Sequence, residues 1–463
     1  MPPNILWLCT DQQRYDTVGA LNNAHIRTPN LDTLVEQGVS FTHAFCQSPI
    51  CTPSRASFLT GMYPSAIHAC TNGNDYWADS APLISNLLAD AGYDTGLVGK
   101  FHLSGGAART EPRLPNDGYR YFQFSHAPRD SWEEGHDYRI WLEQKGVKLS
   151  DLRKDPTAMP PDLHQTSWCA EKAVQFIEGD HNDKPWLLSF NPYYPHPPFD
   201  PPQEYRDCYD APSLPAPAFR KSDLDAQAKL ADIDFQSSAQ HPEQFEAQSI
   251  KAAYYGMIEL VDEKIGEILA SLDRTGQRDN TLIIFMSDHG ETLGDHGLLY
   301  KGCRFYEGLV RVPLIFSWPA QLESNLQLDA LVELTDIAPT LLDICNLPKP
   351  DRMQGKSLLS LLQGDDKAHR GYVRSEYYHV LMPDETNSFE GSYGTMFRTE
   401  RYKLVVYHGH STGELFDLDN DPDEFVNLWH DPRYEQLRFD LLLKSYDAQA
   451  FAVDIGAKQI MFS

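Results

Sequence analysis

Several features that would assign this chain to a broad class are missing. No apolar run approaches the roughly 20 residues a membrane-spanning helix needs, so a membrane is not an expected partner. Basic charge is scarce: 39 Lys and Arg face 66 Asp and Glu, for a formal net charge of -27. That balance argues against nucleic acid and anionic lipid as partners. The eight cysteines form no Cys-x-x-Cys pair and no zinc-finger spacing, and a disulfide framework is not expected at this size, so most are expected to be buried thiols. No internal repeat or low-complexity tract is present. The N-terminus lacks a basic leader region, and its apolar run, residues 5–9, is short for a signal-peptide core. It reads as a first strand and gives a cytoplasmic expectation; a removed leader would instead imply a periplasmic or secreted protein.

What is present is ordinary for a globular chain of 463 residues, with 41% hydrophobic and 23% charged residues. Residues 4–10, 95–98, 186–191 and 281–286 are short apolar runs that end abruptly in polar residues, as buried strands do. Between them lie helix signals. Thr28-Pro29 opens one helix, with Leu31, Leu34 and Val35 as its apolar face and Gly38 as its stop. Thr52-Pro53 opens another that runs to Gly61, and residues 82–91 and 244–272 continue the pattern. Residues 39–45 read as one strand, and 197–244 as an irregular surface excursion. Alternating strands and helices indicate an α/β sandwich with a largely parallel sheet, in which ligands gather at the carboxyl ends of the strands. After Gly364 the pattern becomes four strands (372–378, 394–400, 402–408, 414–418) joined by short turns, then a helix after Pro432. The expected division is 1–364 for the main domain and 365–463 for a small antiparallel α+β subdomain.

The central motif is Cys51-Thr52-Pro53-Ser54-Arg55, continued by Leu59-Thr60-Gly61. Cys-x-Pro-x-Arg alone would arise by chance in roughly a few per cent of chains this long, but the longer run is far rarer. It resembles the signature of the sulfatase family, formylglycine-dependent enzymes with an alkaline phosphatase-like α/β/α sandwich. The resemblance spans nearly the whole chain, with its separate motifs in the family's order. It implies that Cys51 is oxidised to formylglycine, whose hydrated diol attacks sulfur with one hydroxyl and releases sulfate through the other. Residue 51 also stands at a helix N-terminus, where backbone amides favour an anion.

By the same resemblance, Asp11, Gln12, residue 51, Asp288 and His289 form the shell of one divalent metal, calcium first among the candidates. Many sulfatases carry an aspartate at the position of Gln12 and an asparagine at that of His289. The lower carboxylate count admits manganese or zinc, and the Asp-Gln and Asp-His pattern occurs in branches that include choline sulfatase-like enzymes and phosphonate monoester hydrolases. Lys100 and Lys301 are implied to hold the transferring group, with Arg55 supporting the nucleophile. His196 is implied to protonate the leaving oxygen, assisted by Lys301, and His102 to accept the proton in the release step. Asn72 and Asn74 are candidate pocket residues, although Asn-Gly is also a strong turn signal. Trp77, Arg304 and His136 are weaker candidates for touching the alcohol half of the substrate.

These residues imply a sulfuric ester hydrolase acting on a sulfated small molecule or oligosaccharide, and a formylglycine-generating enzyme as maturation partner; a homo-oligomer is allowed. Two rivals stand beside that reading. A phosphonate monoester or phosphodiester hydrolase would use the same site, which Gln12 and His289 permit, whereas Lys100 and His102 lean toward sulfate. A non-catalytic binder of sulfated glycans would require Cys51 to remain a thiol.

Overall fold

The computed structural model describes residues 2–73, 77, 81–103, 113–114, 116–127, 136–152, 154–155, 158–380 and 391–454. Its centre is an eight-stranded sheet. In chain order the strands are β1 (Asn4–Thr10), β2 (Gly38–Phe41), β3 (Asp94–Gly99), β4 (Tyr121–Phe124), β5 (Trp186–Asn191), β6 (Thr281–Ser287), β7 (Leu314–Ser317) and β8 (Leu326–Leu328). Across the sheet they lie β8-β2-β7-β6-β1-β5-β3-β4. Every adjacent pair is parallel except the two that β7 makes, with β2 and with β6.

β1 shows why the sheet sits inside. Ile5, Trp7 and Cys9 point into one apolar cluster, while Leu6 and Leu8 point into another on the opposite face. A strand buried on both faces reads as a continuous apolar run. Helices α3 (Gln165–Ile177) and α4 (Ala247–Arg274) cover the Leu6 and Leu8 face, through Trp168, Ala173, Met257 and Val261. On the other face lies α2 (Cys51–Thr60), with Ala56, Phe58 and Leu59 in the core. The remaining labelled helix of this half, α1 (Pro29–Glu36), is fastened to α4 by Asp262, whose carboxylate accepts from the backbone N–H groups of Asn30 and Leu31. Among the described residues, no helix is long and apolar enough to cross a membrane.

Two expectations need correction. Residues 39–45 do not form one strand: β2 ends at Phe41, and Ala44–Phe45 belongs to a separate three-stranded sheet. Thr42 and His43 make the switch, with the Thr42 N–H bonded to Leu328 while the His43 carbonyl accepts from Val332. The excursion at 197–244 is not wholly irregular, since it contains helical turns at Gln203–Arg206 and Lys221–Ala228.

The C-terminal region is an antiparallel sheet of β9 (Val373–Val380), β10 (Gly391–Arg398), β11 (Tyr402–Tyr407) and β12 (Thr412–Asp417), followed by α5 (Glu435–Phe451). One face sends Tyr377, Met396, Val405 and Tyr407 into the main core. The other packs Phe397, Leu404 and Leu415 against Leu441 and Ala448 of α5.

Candidate active site

The site forms where four parallel strands end. β1 and β6 run in register from Asn4 with Thr281 to Thr10 with Ser287, so the next residues, Asp11 and Asp288, emerge side by side. The Asp288 N–H donates to the Thr10 carbonyl at 3.3 Å. β3 and β5 end level with each other, Gly99 opposite Asn191, and the Lys100 N–H donates to Asn191 O at 2.8 Å. Gly99 makes the turn at φ +100, and a Cβ there would lie 2.0 Å from the Asn191 carbonyl oxygen. No other residue fits that approach.

Cys51 opens α2 beneath these strand ends, with Ile50 as an extended N-cap. Its Sγ lies 2.9 Å from Lys301 Nζ, 3.2 Å from His289 Nε2, and 3.7 Å from both Lys100 Nζ and Asp11 Oδ1. Burial and Asp11 push the thiol up, but Lys100, Lys301 and His289 bring it down to about 7. One turn along the helix, Arg55 places its Nε 2.9 Å from Asp288 Oδ2 and its Nη2 3.4 Å from Asp11 Oδ2. Lys100 Nζ also donates to Asp11 Oδ2. Burial alone would raise the Asp11 carboxyl, yet Lys100, His196 and Arg55 hold it well below the usual carboxylate range.

Asp11, Cys51, Asp288 and His289 each offer a ligand atom, and these atoms all lie within 4.8 Å of one another. His289 Nδ1 faces the Gly290 carbonyl at 2.9 Å, so that nitrogen donates and Nε2 is directed at the cluster. This second hydrogen bond is the usual way a metal-binding imidazole is oriented. Two carboxylates, an imidazole nitrogen and a nearby amide oxygen are a sound donor set for a divalent cation.

The amide is that of Gln12. Its Oε1 accepts from Lys301 Nζ at 2.7 Å, and its Nε2 donates to Glu291 Oε2. Gln12 has φ 67, an uncommon left-handed conformation. It is held there because its N–H donates to Asp288 Oδ1 at 3.0 Å and its carbonyl accepts from the Tyr254 hydroxyl at 2.6 Å.

Glu291 is a residue that sequence reasoning did not single out. It is fully buried. Besides the Gln12 amide it accepts from the N–H groups of Leu293 and Tyr300. A carboxylate accepts only, so the Gln12 amide must present nitrogen to Glu291 and oxygen to Lys301. The same carboxylate anchors the backbone one residue before Lys301. The available signal was its place in Asp288-His289-Gly290-Glu291.

His196 reaches the cluster from the loop after β5, close enough that its charge and that of Asp11 influence each other. Its Nδ1 lies 2.7 Å from the Pro197 carbonyl, and its ring stacks at 4.6 Å on Tyr193. Burial, with Lys301 adding to it, pulls His196 well below the usual histidine range. His102 is likewise pulled down by burial and Lys100. Its ring meets His126 edge-on at 4.5 Å, and its buried Nδ1 has no hydrogen-bond partner among the described residues.

The weaker candidates fare differently. Asn72 Oδ1 accepts from the Thr52 N–H at 2.9 Å, which ties it to the first turn of α2. Asn74 lies outside the described residues. Trp77 is half-buried against the main core, and its indole donates to the Ala81 carbonyl at 3.1 Å. His136 caps a helix by accepting from the Arg139 N–H at 3.3 Å. Arg304 is separated from Lys301 by the turn at Gly302, which has φ 151 and is bridged to Phe235. Its guanidinium binds Gln227 Oε1 and the carbonyls of Cys303 and Leu230. It lines a cavity of about 790 Å³ with Phe235, Asp234, Ser237, Ser392 and His410, none of which belongs to the Cys51 cluster.

The comparisons agree with this geometry. The family model described as Sulfatase matches residues 3–347, and one described as N-sulphoglucosamine sulphohydrolase, C-terminal, matches residues 294–449. An arylsulfatase of Clostridium perfringens (strain 13 / Type A) is 32% identical, over 96% of this chain and 93% of the relative. A choline-sulfatase of Rhizobium meliloti (strain 1021) is 30% identical, over 93% of this chain and 83% of the relative. Among solved structures, the phosphonate monoester hydrolase of Agrobacterium radiobacter superposes with a TM-score of 0.82 at 26% identity, covering 99% of this chain and 98% of that one. A family match over most of the length, together with a relative 32% identical across 96% of the chain, places the chain in the sulfatase family of sulfuric ester hydrolases.

Proposed function

We propose that the protein hydrolyses the sulfate ester of a carbohydrate, with residue 51 acting as nucleophile after conversion of Cys51 to formylglycine. The observation that carries this reading is the convergence of Lys301 Nζ, His289 Nε2, Lys100 Nζ and Asp11 Oδ1 on Cys51 Sγ, all within 3.7 Å. Hydrated formylglycine would supply a hydroxyl nucleophile and a second hydroxyl through which sulfate leaves without direct attack by water. A divalent cation, which we take to be calcium, would supply Lewis-acid stabilisation of the sulfate oxygens, held by Asp11, Gln12, Asp288 and His289.

The chain's own residues do the rest. Lys100 and Lys301 bring fixed positive charge to the atom that reacts, so they bind the sulfate oxygens and stabilise charge as the ester bond breaks. Arg55 pairs with both metal-binding carboxylates and holds them in place. His196, protonated once the anionic ester is bound, delivers a proton to the departing alcohol oxygen from Nε2, since Nδ1 is engaged with Pro197. His102, whose Nδ1 has no hydrogen-bond partner among the described residues, takes the proton released from residue 51. The sugar half of the substrate draws support from the match to the N-sulphoglucosamine sulphohydrolase C-terminal description.

A second reading, hydrolysis of a phosphonate monoester, is favoured by the likeness to the Agrobacterium enzyme and by Gln12 and His289. The test is a paired measurement. The protein is produced together with a formylglycine-generating enzyme, and kcat/KM is compared for matched aryl sulfate and aryl phosphonate esters. Preference for sulfate by about tenfold or more, a barrier difference of about 1.4 kcal/mol, is expected. Preference for phosphonate would replace the first reading with the second. Elemental analysis of the same preparation should find about one calcium per chain; manganese or zinc in that place would reassign the metal.

A further inference from the structure

α5 has two apolar faces. Leu441 and Ala448 are buried against the C-terminal sheet, as expected of a surface helix. On the side turned away from them, Phe439, Leu443 and Tyr446 are 56%, 51% and 74% exposed. Phe439, Leu443, Tyr446 and Ala450 are spaced four, three and four residues apart, so they form one straight seam along the helix. Phe451 and Val453, 81% and 58% exposed, extend the apolar surface at its end. A surface helix ordinarily turns polar residues outward, and most of the large exposed apolar side chains among the described residues are gathered here.

We propose that this outer face of α5 is the contact between two copies of the chain, packed antiparallel about a two-fold axis. Size supports it. The exposed parts of Phe439, Tyr446 and Phe451 come to on the order of 400 Å², taking about 200 Å² for a whole aromatic side chain. With Leu443, Val453 and the flanking stems, that approaches the roughly 800 Å² per partner of a stable interface. Charge supports it more sharply. The seam is flanked on one edge by Asp440, Lys444 and Asp447, which alternate in sign. A two-fold axis crossing the helix near Leu442 sets each Asp440 beside Lys444 of the other copy. It also sets each Phe439 beside the other Tyr446 and brings the two Leu443 side chains together. The edge therefore complements itself, as an isologous contact requires. A basic partner drawn to the net charge of -27 would instead select a uniformly acidic edge.

Sedimentation velocity on the full chain tests this. A dimer at micromolar concentration is expected, strengthened as salt rises from about 0.05 to about 0.5 M because screening relieves repulsion between two acidic bodies. The double variant Phe439→Glu/Tyr446→Glu should raise the dissociation constant at least about a hundredfold, with sulfatase activity and thermal melt retained. Leu443→Cys, in a Cys208→Ser background, should be joined to its counterpart by a short bifunctional maleimide, and the parent without the change at 443 should not. A monomeric wild type, or a dimer untouched by the double variant, overturns the proposal. So does a dimer that dissociates only when residues 455–463 are removed.

Discussion

Two buried groups of charge in this molecule are built from the same residue types and arranged for opposite ends. Where the C-terminal sheet meets the main body, Lys403 Nζ lies 2.7 Å from a carboxylate oxygen of Glu307 and 2.7 Å from one of Glu424. Arg398 and Arg311 close on Glu307 at 3.3 and 3.5 Å. Burial would push the Glu307 carboxyl up, but Lys403, Arg398 and Arg311 hold it well below the usual carboxylate range. Each charge there is answered directly by another. At the Cys51 cluster, Asp11 and Asp288 are also paired, by Lys100 and Arg55, yet their remaining oxygens, His289 Nε2 and Lys301 Nζ converge on a common point. A network of paired charges holds a structure together, whereas one that gathers metal-ligating atoms within 4.8 Å of one another around a reactive side chain is organised for a ligand.

That contrast can be broken at either end. The largest effect on chemistry should come from Cys51→Ala: kcat should fall by about a thousandfold or more, with the melting temperature unchanged within about 2 °C. Substantial remaining turnover would remove residue 51 as nucleophile. The largest effect on stability should come from Lys403→Met, which leaves the buried Glu424 without the cation that answers it and should destabilise by about 3–5 kcal/mol. Denaturant unfolding measures this, while kcat per folded molecule should hold. A collapse of kcat in fully folded protein would mean that the two clusters are coupled. Glu291→Gln sharpens the comparison within the active site. The substituted amide no longer dictates which way Gln12 faces, so metal affinity should weaken by about 10–100-fold, read by titration of the metal against the Cys51→Ala protein. Unchanged affinity would leave Glu291 as packing only.

The smallest effect is a pH dependence. Burial pulls His296 down, but Asp223, Asp295 and Glu424 hold it above its ordinary value, and its ring stacks on Tyr306 at 3.9 Å. A histidine raised in the folded state contributes stability that is complete below its unfolded value of about 6.5. That contribution is lost as pH rises through the folded value. The wild type should therefore lose about 1–3 °C of melting temperature over that rise relative to His296→Gln. A parallel pair of pH profiles would count against the Asp223 pairing.

Much of this was legible in the chain because strands buried on both faces end abruptly. Asp11, Lys100 and Asp288 are the first charged residues after apolar runs, and a parallel sheet gathers such ends. Cys51 and Arg55 were legible from a motif, and His196, His102 and Lys301 only through resemblance. Illegible were the outcomes fixed by a single backbone turn or a long-range contact. Lys301 and Arg304 are both basic and three positions apart, yet the turn at Gly302 sends them to different cavities. Trp77 looked like a pocket aromatic because nothing local reveals that its indole caps a carbonyl in the core. Thr42 and His43 carry no mark of the switch from one sheet to another. Glu291 stood inside a quoted motif, but its work depends on a glutamine 279 residues away.

The register between β1 and β6 has a consequence for how the gene can change. Because Asp11 and Asp288 are aligned by consecutive backbone pairs from Asn4 onward, inserting or deleting one codon within either strand would turn an aspartate to the opposite face of the sheet. The excursion at 197–244, which lies outside the registered strands, carries no such constraint. Insertions there would reshape what reaches the cavity beside Arg304 while leaving the aligned aspartates where they are. Mutational drift in length is therefore channelled into that excursion and away from the strands that align the two aspartates.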